Sequence, residues 1–277
     1  MGWFWFAGLY LCGQGKYEQA IACLLDGHQL SKRLEDKAFK PRILNTLGWV
    51  YGELYNTESA IRYNQEGLEA ARKVGEPEII RNAEINLGDN YMMLDDLQQA
   101  QYLLEKVYRD SQQRGKWGEE WMKWRYLQHC CHSLGELRLM QGDAEGALSL
   151  AEECLQLAEP TQSRKNIVKG WRLKGQVFLA QGKIAEADEA LNKALTVAKE
   201  IGNPPQLWKT YAALGELHER KGEAEQAYAA YANALHVIDD VAGGLQNEEL
   251  KRTFLAARQV QAIRERAQAG DELERRY

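Results

Sequence analysis

The chain has 277 residues and a formal net charge of −5, with acidic and basic residues interspersed. No basic stripe and no long block of like charge occurs, which argues against direct nucleic-acid binding and against a disordered charged tail. Its five cysteines are an odd number and include one adjacent pair, so they form no disulfide framework and favour a reducing, cytoplasmic compartment. The composition is rich in good helix formers and poor in proline, which predicts an all-α protein.

The first predicted element is a helix over residues 1–14, whose sequence MGWFWFAGLYLCGQ carries no charge. It lacks the basic start and the cleavage site of a signal peptide, and its apolar run is too short to span a bilayer, so we expect no membrane association. The helix is short and exposes Trp3, Phe4, Trp5 and Phe6. We expect this face to contact either an upstream module or a second copy of the chain.

A helical-hairpin repeat extends from the N-terminus to about residue 240. A glycine recurs every 40 residues, with one interval of 47, and an alanine lies 12 residues after each glycine. A turn-forming segment begins about seven residues after the glycine, and a small or medium-sized residue lies 19 residues after it. Small residues at these intervals let helices approach closely, and stacked hairpins bury apolar faces that one hairpin leaves exposed. We call the recurring residues the signature glycines: Gly8, Gly48, Gly88, Gly135, Gly175 and Gly215.

The spacing predicts six hairpins, each with a first helix that carries the signature glycine and a second helix after the turn. Seven extra residues before Gly135 predict one long helix over residues 116–141. Trp117, Trp121 and Trp124 form one stripe on this helix, either for core packing or for a partner. The predicted repeats are residues 1–37, 38–77, 78–115, 116–160, 161–203 and 204–240, followed by capping helices and a tail over residues 241–277.

The glycine of the first helix and the small residues of the second resemble the signature of the tetratricopeptide repeat (TPR). The resemblance covers residues 1–240 and implies an α-solenoid, a right-handed superhelix of about six hairpins with capping helices. The 40-residue spacing is similar to the long-repeat, MalT-like type found at the C-terminus of bacterial LuxR-type ATP-dependent regulators and of ATPase-linked adenylate or guanylate cyclases. Asn64 and Glu84 stand where apolar residues are expected, which leaves the tightness of packing open there.

The sequence contains no motif for phosphate binding, dinucleotide binding or hydrolysis, so we predict no enzymatic activity and no cofactor. The segment QHCCHSLGE places His129, Cys130, Cys131 and His132 together as a candidate zinc site. On a helix these side chains point in three directions and do not converge on one ion, so we predict no metal. Cys130 and Cys131 are expected to pack in the interior, and the two histidines to face a groove.

The TPR resemblance implies a partner-binding groove lined by the first helices. By helical angle, the positions six and three before the signature glycine, and one, four and five after it, face this groove. Its mixture of Trp, Met, Asn and charged residues suits an extended peptide or a partner helix. The predicted groove residues are Arg42, Asn45, Trp49, Glu53, Asn82, Ile85, Asp89, Met92, Met93, His129, His132, Glu136, Leu139, Met140, Lys169, Arg172, Gln176, Lys209, Glu216, Glu219 and Arg220.

The sequence therefore predicts a non-catalytic scaffold, the regulatory or sensor arm of a bacterial signalling or transcription regulator, with a peptide or protein in its groove. Two alternatives stay open. A MalT-type arm would sense a small-molecule inducer at the centre lined by Met and Trp, and an oligomerisation module would use the end repeats. An upstream ATPase or cyclase module is a further predicted contact of the N-terminal repeat.

Overall fold

The computed structural model describes the backbone of residues 1–113 and 120–274, with side chains for residues 1–113 and 125–269. All regular elements in these ranges are α-helices, and no strand occurs there, which confirms the predicted all-α class. The chain divides into two compact units, Met1–Leu137 (unit 1) and Arg138–Tyr277 (unit 2).

Unit 1 contains three helical hairpins and most of a long helix. Its helices are α1 Gly2–Gly13, α2 Tyr17–Arg33, α3 Lys40–Glu53, α4 Thr57–Val74, α5 Pro77–Met93, α6 Leu97–Ser111 and α7 Glu120–Met140, the last of which ends in unit 2. The two helices of each hairpin pack together, and α2 and α4 also pack on the first helix of the next hairpin. First helices contact one another as well, α1 with α3 and α3 with α5. Each first helix is thereby enclosed on several sides.

Unit 2 repeats this arrangement. Its helices are α8 Ala144–Ala158, α9 Arg164–Ala180, α10 Ile184–Ile201, α11 Pro204–Lys221, α12 Ala224–Gly243, α13 Glu248–Ala256 and α14 Arg258–Glu274. Helix α9 packs on α8 and α10, and α11 packs on α10 and α12. Helix α14 packs on α12, and it buries Val260 and Ile263 while α13 buries Phe254. The last two helices therefore cover the apolar side of α12.

The turns between paired helices share one backbone conformation. The residue seven after each signature glycine has a left-handed conformation, with φ between 57° and 82°. Glycine adopts this conformation freely at four of the six turns, whereas Tyr55 and Asp95 adopt it at a cost of about 1 kcal/mol each. The side chains of Asn56, Asp96 and Asp143 then cap the following helix, each accepting from a backbone N–H three residues on at 2.9–3.1 Å. The predicted turn segments are thus confirmed.

The signature glycines are sites of close helix approach. A Cβ atom at Gly88 would lie 2.8 Å from Cγ of Leu104, and one at Gly175 would lie 2.6 Å from Cγ of Leu191. In both hairpins the contacted residue lies 16 positions after the glycine, on the second helix. Only a residue without a side chain fits this separation, which explains why glycine recurs at the repeat interval.

At the equivalent position of the second hairpin, Asn64 replaces leucine and is completely buried. A Cβ atom at Gly48 would lie 2.3 Å from Oδ1 of Asn64, so packing is as close here as at the leucine positions. Nδ2 of Asn86 donates to Oδ1 of Asn45 at 3.0 Å and lies 3.5 Å from Oδ1 of Asn64. The departure from the repeat pattern is accommodated by hydrogen bonds between buried amides.

Glu84, the second departure, is also completely buried. Its Oε1 accepts from Nζ of Lys106 and lies 3.5 Å from Nη2 of Arg72, so one carboxylate on α5 joins α4 and α6. A buried carboxylate is stable only when it is paired in this way. Packing is therefore tight at both departures.

Helix α1 differs from the expectation that four aromatic rings are exposed. Trp3 and Phe6 are exposed, but Phe4 and Trp5 are half-buried. Phe4 packs against α2, and Nε1 of Trp5 donates to Oγ1 of Thr46 on α3 at 2.9 Å. The expectation was wrong for these two residues because α1 has partners on two sides.

Candidate binding groove

In unit 1 the predicted groove positions lie on α3, α5 and α7. Trp49, Glu53, Met92 and Met93 are half-buried, neither in the core nor fully in solvent. Nε1 of Trp49 donates to Oε1 of Glu53 at 2.9 Å, one helical turn further on. Half-buried aromatic and thioether side chains next to a carboxylate form a surface with both apolar and polar contacts.

One side-chain contact joins groove positions of two neighbouring first helices. Nε2 of His129 on α7 lies 2.9 Å from Oδ2 of Asp89 on α5, with side-chain exposures of 18% and 27%. His129 is six residues before its signature glycine, and Asp89 is one residue after its own. Positions that the sequence assigned to the groove are therefore adjacent in space across two hairpins.

The position three before the signature glycine is buried in four first helices. Asn45 is 2% exposed, His132 3% and Arg172 2%, and Ile85 is completely buried. Nη1 of Arg172 donates to Oε1 of Gln206 at 2.9 Å, a contact between α9 and α11. Oδ1 of Asn45 likewise accepts from Asn86 on α5, so Asn45 and Arg172 lie between first helices rather than on the groove surface, and Ile85 and His132 are buried as well.

Arg42 lies at a predicted groove position and is engaged within the chain. Its Nη2 donates to Oε1 of Glu78 on α5 at 2.5 Å, and its guanidinium lies 6.0 Å from the centre of the Trp5 ring. Glu78 is itself buried. The pair therefore ties α3 to α5.

The four candidate zinc ligands have separate surroundings. Cys130 and Cys131 are both completely buried, as predicted, and Sγ of Cys130 lies 3.5 Å from the carbonyl oxygen of Leu104. His129 contacts Asp89, and Nε2 of His132 lies 3.5 Å from Oε1 of Glu136. In the described part of the chain, no three His, Cys, Asp or Glu side chains meet in a group suited to a metal ion. The segment therefore contributes two cysteines to the interior, and its two histidines contact different carboxylates, Asp89 and Glu136.

The tryptophan stripe predicted near the start of α7 lies outside the described side chains. The remaining predicted residues Asn82, Lys169, Gln176 and Leu139 are half-buried, and Met140 is 53% exposed.

At the last hairpin, α14 contacts the predicted groove positions. Nη1 of Arg266 lies 3.9 Å from Oε1 of Glu216, and its Nε lies 3.6 Å from Oε1 of Glu219. The same guanidinium lies 5.5 Å from the centre of the Tyr231 ring. The chain's own C-terminal helix therefore contacts this part of the predicted surface, a contact that the repeat pattern did not predict.

A shallow cleft of about 750 Å³ lies beside α13, away from the predicted groove residues. Its lining residues include Glu248, Lys251, Arg252 and Leu255, and apolar atoms form most of the lining surface. Small-molecule sites are usually concave and mainly apolar, with a few convergent polar groups. This cleft is mainly apolar but wide open to solvent, and the repeat pattern gave no signal for it.

Profiles of the tetratricopeptide repeat match residues 3–73 and 168–201. A solved structure of a Rap protein complexed with Competence and Sporulation Factor is similar, with TM-score 0.66 and 17% identity over 96% of this chain and 75% of that chain. The structure of aspartyl phosphate phosphatase F from Bacillus subtilis is similar with TM-score 0.61 and 16% identity. The match covers 95% of this chain and 70% of that chain. The apo form of the quorum sensor NprR from B. thuringiensis is similar with TM-score 0.60 and 16% identity. The match covers 91% of this chain and 74% of that chain.

These similarities establish the fold. The chain carries tetratricopeptide repeats, and it is an all-helical TPR-like α-solenoid, as predicted. Repeats of this kind typically provide surfaces for protein–protein interaction. Among the described helices, none combines the length and apolar character needed to cross a membrane.

Proposed function

We propose that this chain is a non-catalytic scaffold that binds a peptide or a protein segment on the surface formed by α3, α5 and α7. The observation that carries the proposal is the contact between Asp89 and His129, since it joins predicted groove positions of two hairpins into one surface. A surface continuous across hairpins suits an extended ligand, which contacts several repeats in turn.

The side chains of this surface favour a partner with both apolar and basic groups. Trp49, Met92 and Met93 offer half-buried apolar area for an anchor residue. Glu53, Asp89 and Glu136 add carboxylates to this surface, beside Trp49, His129 and His132 respectively. A lysine or arginine of the partner would complement this charge.

We further propose that the chain acts in the cytoplasm as the regulatory arm of a bacterial signalling or transcription regulator, without binding nucleic acid or membrane directly. The 40-residue repeat supports this proposal, since it resembles the MalT-like type. The similar structures include a Rap protein complexed with Competence and Sporulation Factor and the quorum sensor NprR, which supports a signalling context.

Selection of random peptides displayed on phage tests the binding proposal, with the purified chain as bait. We expect the selected peptides to share an aromatic or aliphatic residue and a lysine or arginine. Trp49→Ala and Asp89→Asn should each weaken binding of the selected peptides at least about tenfold, since buried aromatic anchors and charge pairs dominate such interfaces.

Tyr102→Ser is the matched control, because Tyr102 is an exposed aromatic residue on α6, a second helix. It should bind the peptides like the parent chain, and all variants should keep the parent's thermal unfolding temperature within a few degrees. Peptides that bind the Trp49 and Asp89 variants as tightly as the parent would exclude this surface. A small metabolite that raises the unfolding temperature, in the absence of any selected peptide, would instead favour the inducer-sensing alternative.

A further inference from the structure

Helix α1 carries an exposed aromatic stripe on the side that faces away from α2 and α3. Trp3, Phe6 and Tyr10 are 71%, 61% and 66% exposed, and their spacing of three and four residues places them on one helical face. The ring of Trp3 lies 5.1 Å from that of Phe4, and the ring of Phe6 lies 4.8 Å from that of Trp5. The half-buried rings thus support the exposed ones.

The repeat register shows what this stripe corresponds to elsewhere in the chain. Trp3, Phe6 and Tyr10 lie five and two before, and two after, the signature glycine. At the same three positions, every residue in α3, α5, α7, α9 and α11 is buried. In α3 these residues are Ile43, Thr46 and Val50, and in α11 they are Thr210, Ala213 and Leu217.

A helix of the preceding hairpin covers these positions in each case that the contacts define. Helix α2 packs on α3, α4 on α5, α8 on α9 and α10 on α11. Leu173 and Val177 of α9, for example, form one cluster with Ala147 and Ala151 of α8. The stripe on α1 is therefore the helix-docking face of a first helix, and here its residues are large aromatics rather than small aliphatic or polar ones.

The charge of α1 restricts what can cover this face. Residues 2–13 contain no Asp, Glu, Lys, Arg or His, so the helix offers no side-chain charge for a partner to complement. An isologous contact places the same patch on both subunits, and a charged patch would repel its copy. The α1 patch is neutral, aromatic and therefore compatible with itself.

The opposite end of the chain does not offer a matching surface. In the described part of unit 2, Met140 is the one large hydrophobic side chain that is strongly exposed. The exposed residues of α14 include Arg258, Glu265, Arg266 and Gln268. Stacking of α1 on the C-terminal helices of another copy would bury these polar groups, so a closed pair joined at α1 is favoured over an open head-to-tail chain.

We infer that the Trp3, Phe6 and Tyr10 stripe is a self-association surface, on which α1 of one copy packs against α1 of a second copy about a twofold axis. Aromatic side chains bury about 150–250 Å² each, so the exposed parts of the three rings supply about 800 Å² over both copies. With the flanking residues of α1, the contact reaches the lower range of specific interfaces, about 1,200 Å².

Light scattering coupled to size-exclusion chromatography tests the association over about a hundredfold range of concentration. The parent chain should show twice the mass of one chain at the upper end and fall towards one chain on dilution. The triple variant Trp3→Ser, Phe6→Ser, Tyr10→Ser should stay at the mass of one chain throughout. The double variant Leu94→Ser, Tyr102→Ser is the control, because it removes two exposed apolar residues elsewhere in unit 1 and should pair like the parent.

Oxidative cross-linking fixes the geometry without relying on the triple variant. Phe6→Cys places a thiol at the centre of the stripe, and two such thiols meet only if α1 packs on α1. The four buried native cysteines and the half-buried Cys23 define the background, which the parent chain measures. Phe6→Cys should form covalent dimer at least about tenfold faster than Tyr102→Cys.

A parent chain with the mass of one chain at all concentrations overturns the inference. Pairing that survives the triple variant, or equal cross-linking of the Phe6 and Tyr102 variants, overturns it as well. Trp49→Ala should leave pairing unchanged, so this inference and the proposed groove function stand or fall separately.

Discussion

The hairpin of α3 and α4 and the hairpin of α9 and α10 have the same backbone plan and different interiors. In the first, the signature glycine meets Asn64, and Asn45 and Asn86 are buried beside it. In the second, the glycine meets Leu191, whose neighbours include Ala187 and Leu214. The close approach of the helices is the same in both.

This difference shows that the repeat fixes the distance between the paired helices, but not whether the side chains between them are polar or apolar. A polar side chain occupies the space of a leucine where neighbouring amides or cations bind at least one of its polar atoms. The interior of unit 1 depends on specific polar partners around Gly48 and Glu84, and on pH at His28, whereas the interior around Gly175 depends on volume. Three predictions test this distinction.

A reciprocal exchange of the glycine-contacting residues should give the largest effect. Leu191→Asn should lower the free energy of unfolding by about 4 kcal/mol, because it removes buried apolar volume and leaves an amide among alanines and leucines. Asn64→Leu should stay within about 1 kcal/mol of the parent, since Nδ2 of Asn64 is buried without a hydrogen-bond partner. Urea denaturation monitored by circular dichroism measures both values.

Gln65→Ala, at an exposed position of α4 next to Asn64, provides the baseline for a substitution outside the interior. If the two exchanges cost the same, the interiors of the two hairpins do not differ in the way proposed.

Removal of the cation that contacts buried Glu84 should have the next largest effect. Lys106→Met should lower the free energy of unfolding by about 3 kcal/mol, because a buried carboxylate then retains only Arg72, at 3.5 Å. Lys193→Met is the matched control in unit 2. Lys193 lies 4.4 Å from the centre of the Trp171 ring and is 47% exposed, so its loss should cost less than about 1 kcal/mol.

The double variant Glu84→Leu, Lys106→Met should recover most of the loss, because Leu44 occupies the equivalent position of α3 without any ion pair. A double variant as unstable as Lys106→Met alone would show that the loss comes from the lysine stem and not from the stranded charge.

Acid should weaken unit 1 through His28, which is 6% exposed on α2. Burial, with nearby Lys32 and Lys40, lowers the pKa of His28 from 6.5 to about 4. The unfolded chain therefore binds this proton first, and the folded state loses stability as the pH falls from 6.5 towards 4. The loss between pH 7 and pH 4.5 should be about 2.5 kcal/mol, close in size to the lysine effect.

His28→Gln should flatten this part of the stability profile in denaturant titrations at each pH. His236→Gln is the control, because the His236 side chain is 76% exposed, and it should leave the profile of the parent unchanged. If the free energy of unfolding of the His28 variant still falls with pH as it does in the parent, the loss comes from the carboxylates instead.

The candidate groove was assigned from helical angle, and the limits of that assignment have a physical cause. The helical-angle argument placed Asp89 and His129 outside the interior and Cys130 and Cys131 inside it, and the burial of these side chains agrees. The direction of a side chain around its own helix follows from sequence spacing alone. Helical angle did not predict the burial of Asn45, because burial depends on the neighbouring helix and not on the helix itself.

The sequence by itself determined the repeat, the helix pairs and the turns, because glycine at a close approach and left-handed turn residues act over a few positions of one chain. Only the tertiary structure decided which polar residues lie inside and which aromatics stay outside. Glu84 is buried because α4 and α6 bring cations to it, and Trp3 is exposed because no helix in the described structure covers that face of α1. Both outcomes depend on the neighbouring helices, and the sequence periodicity of one helix does not predict which residues its neighbours bring near.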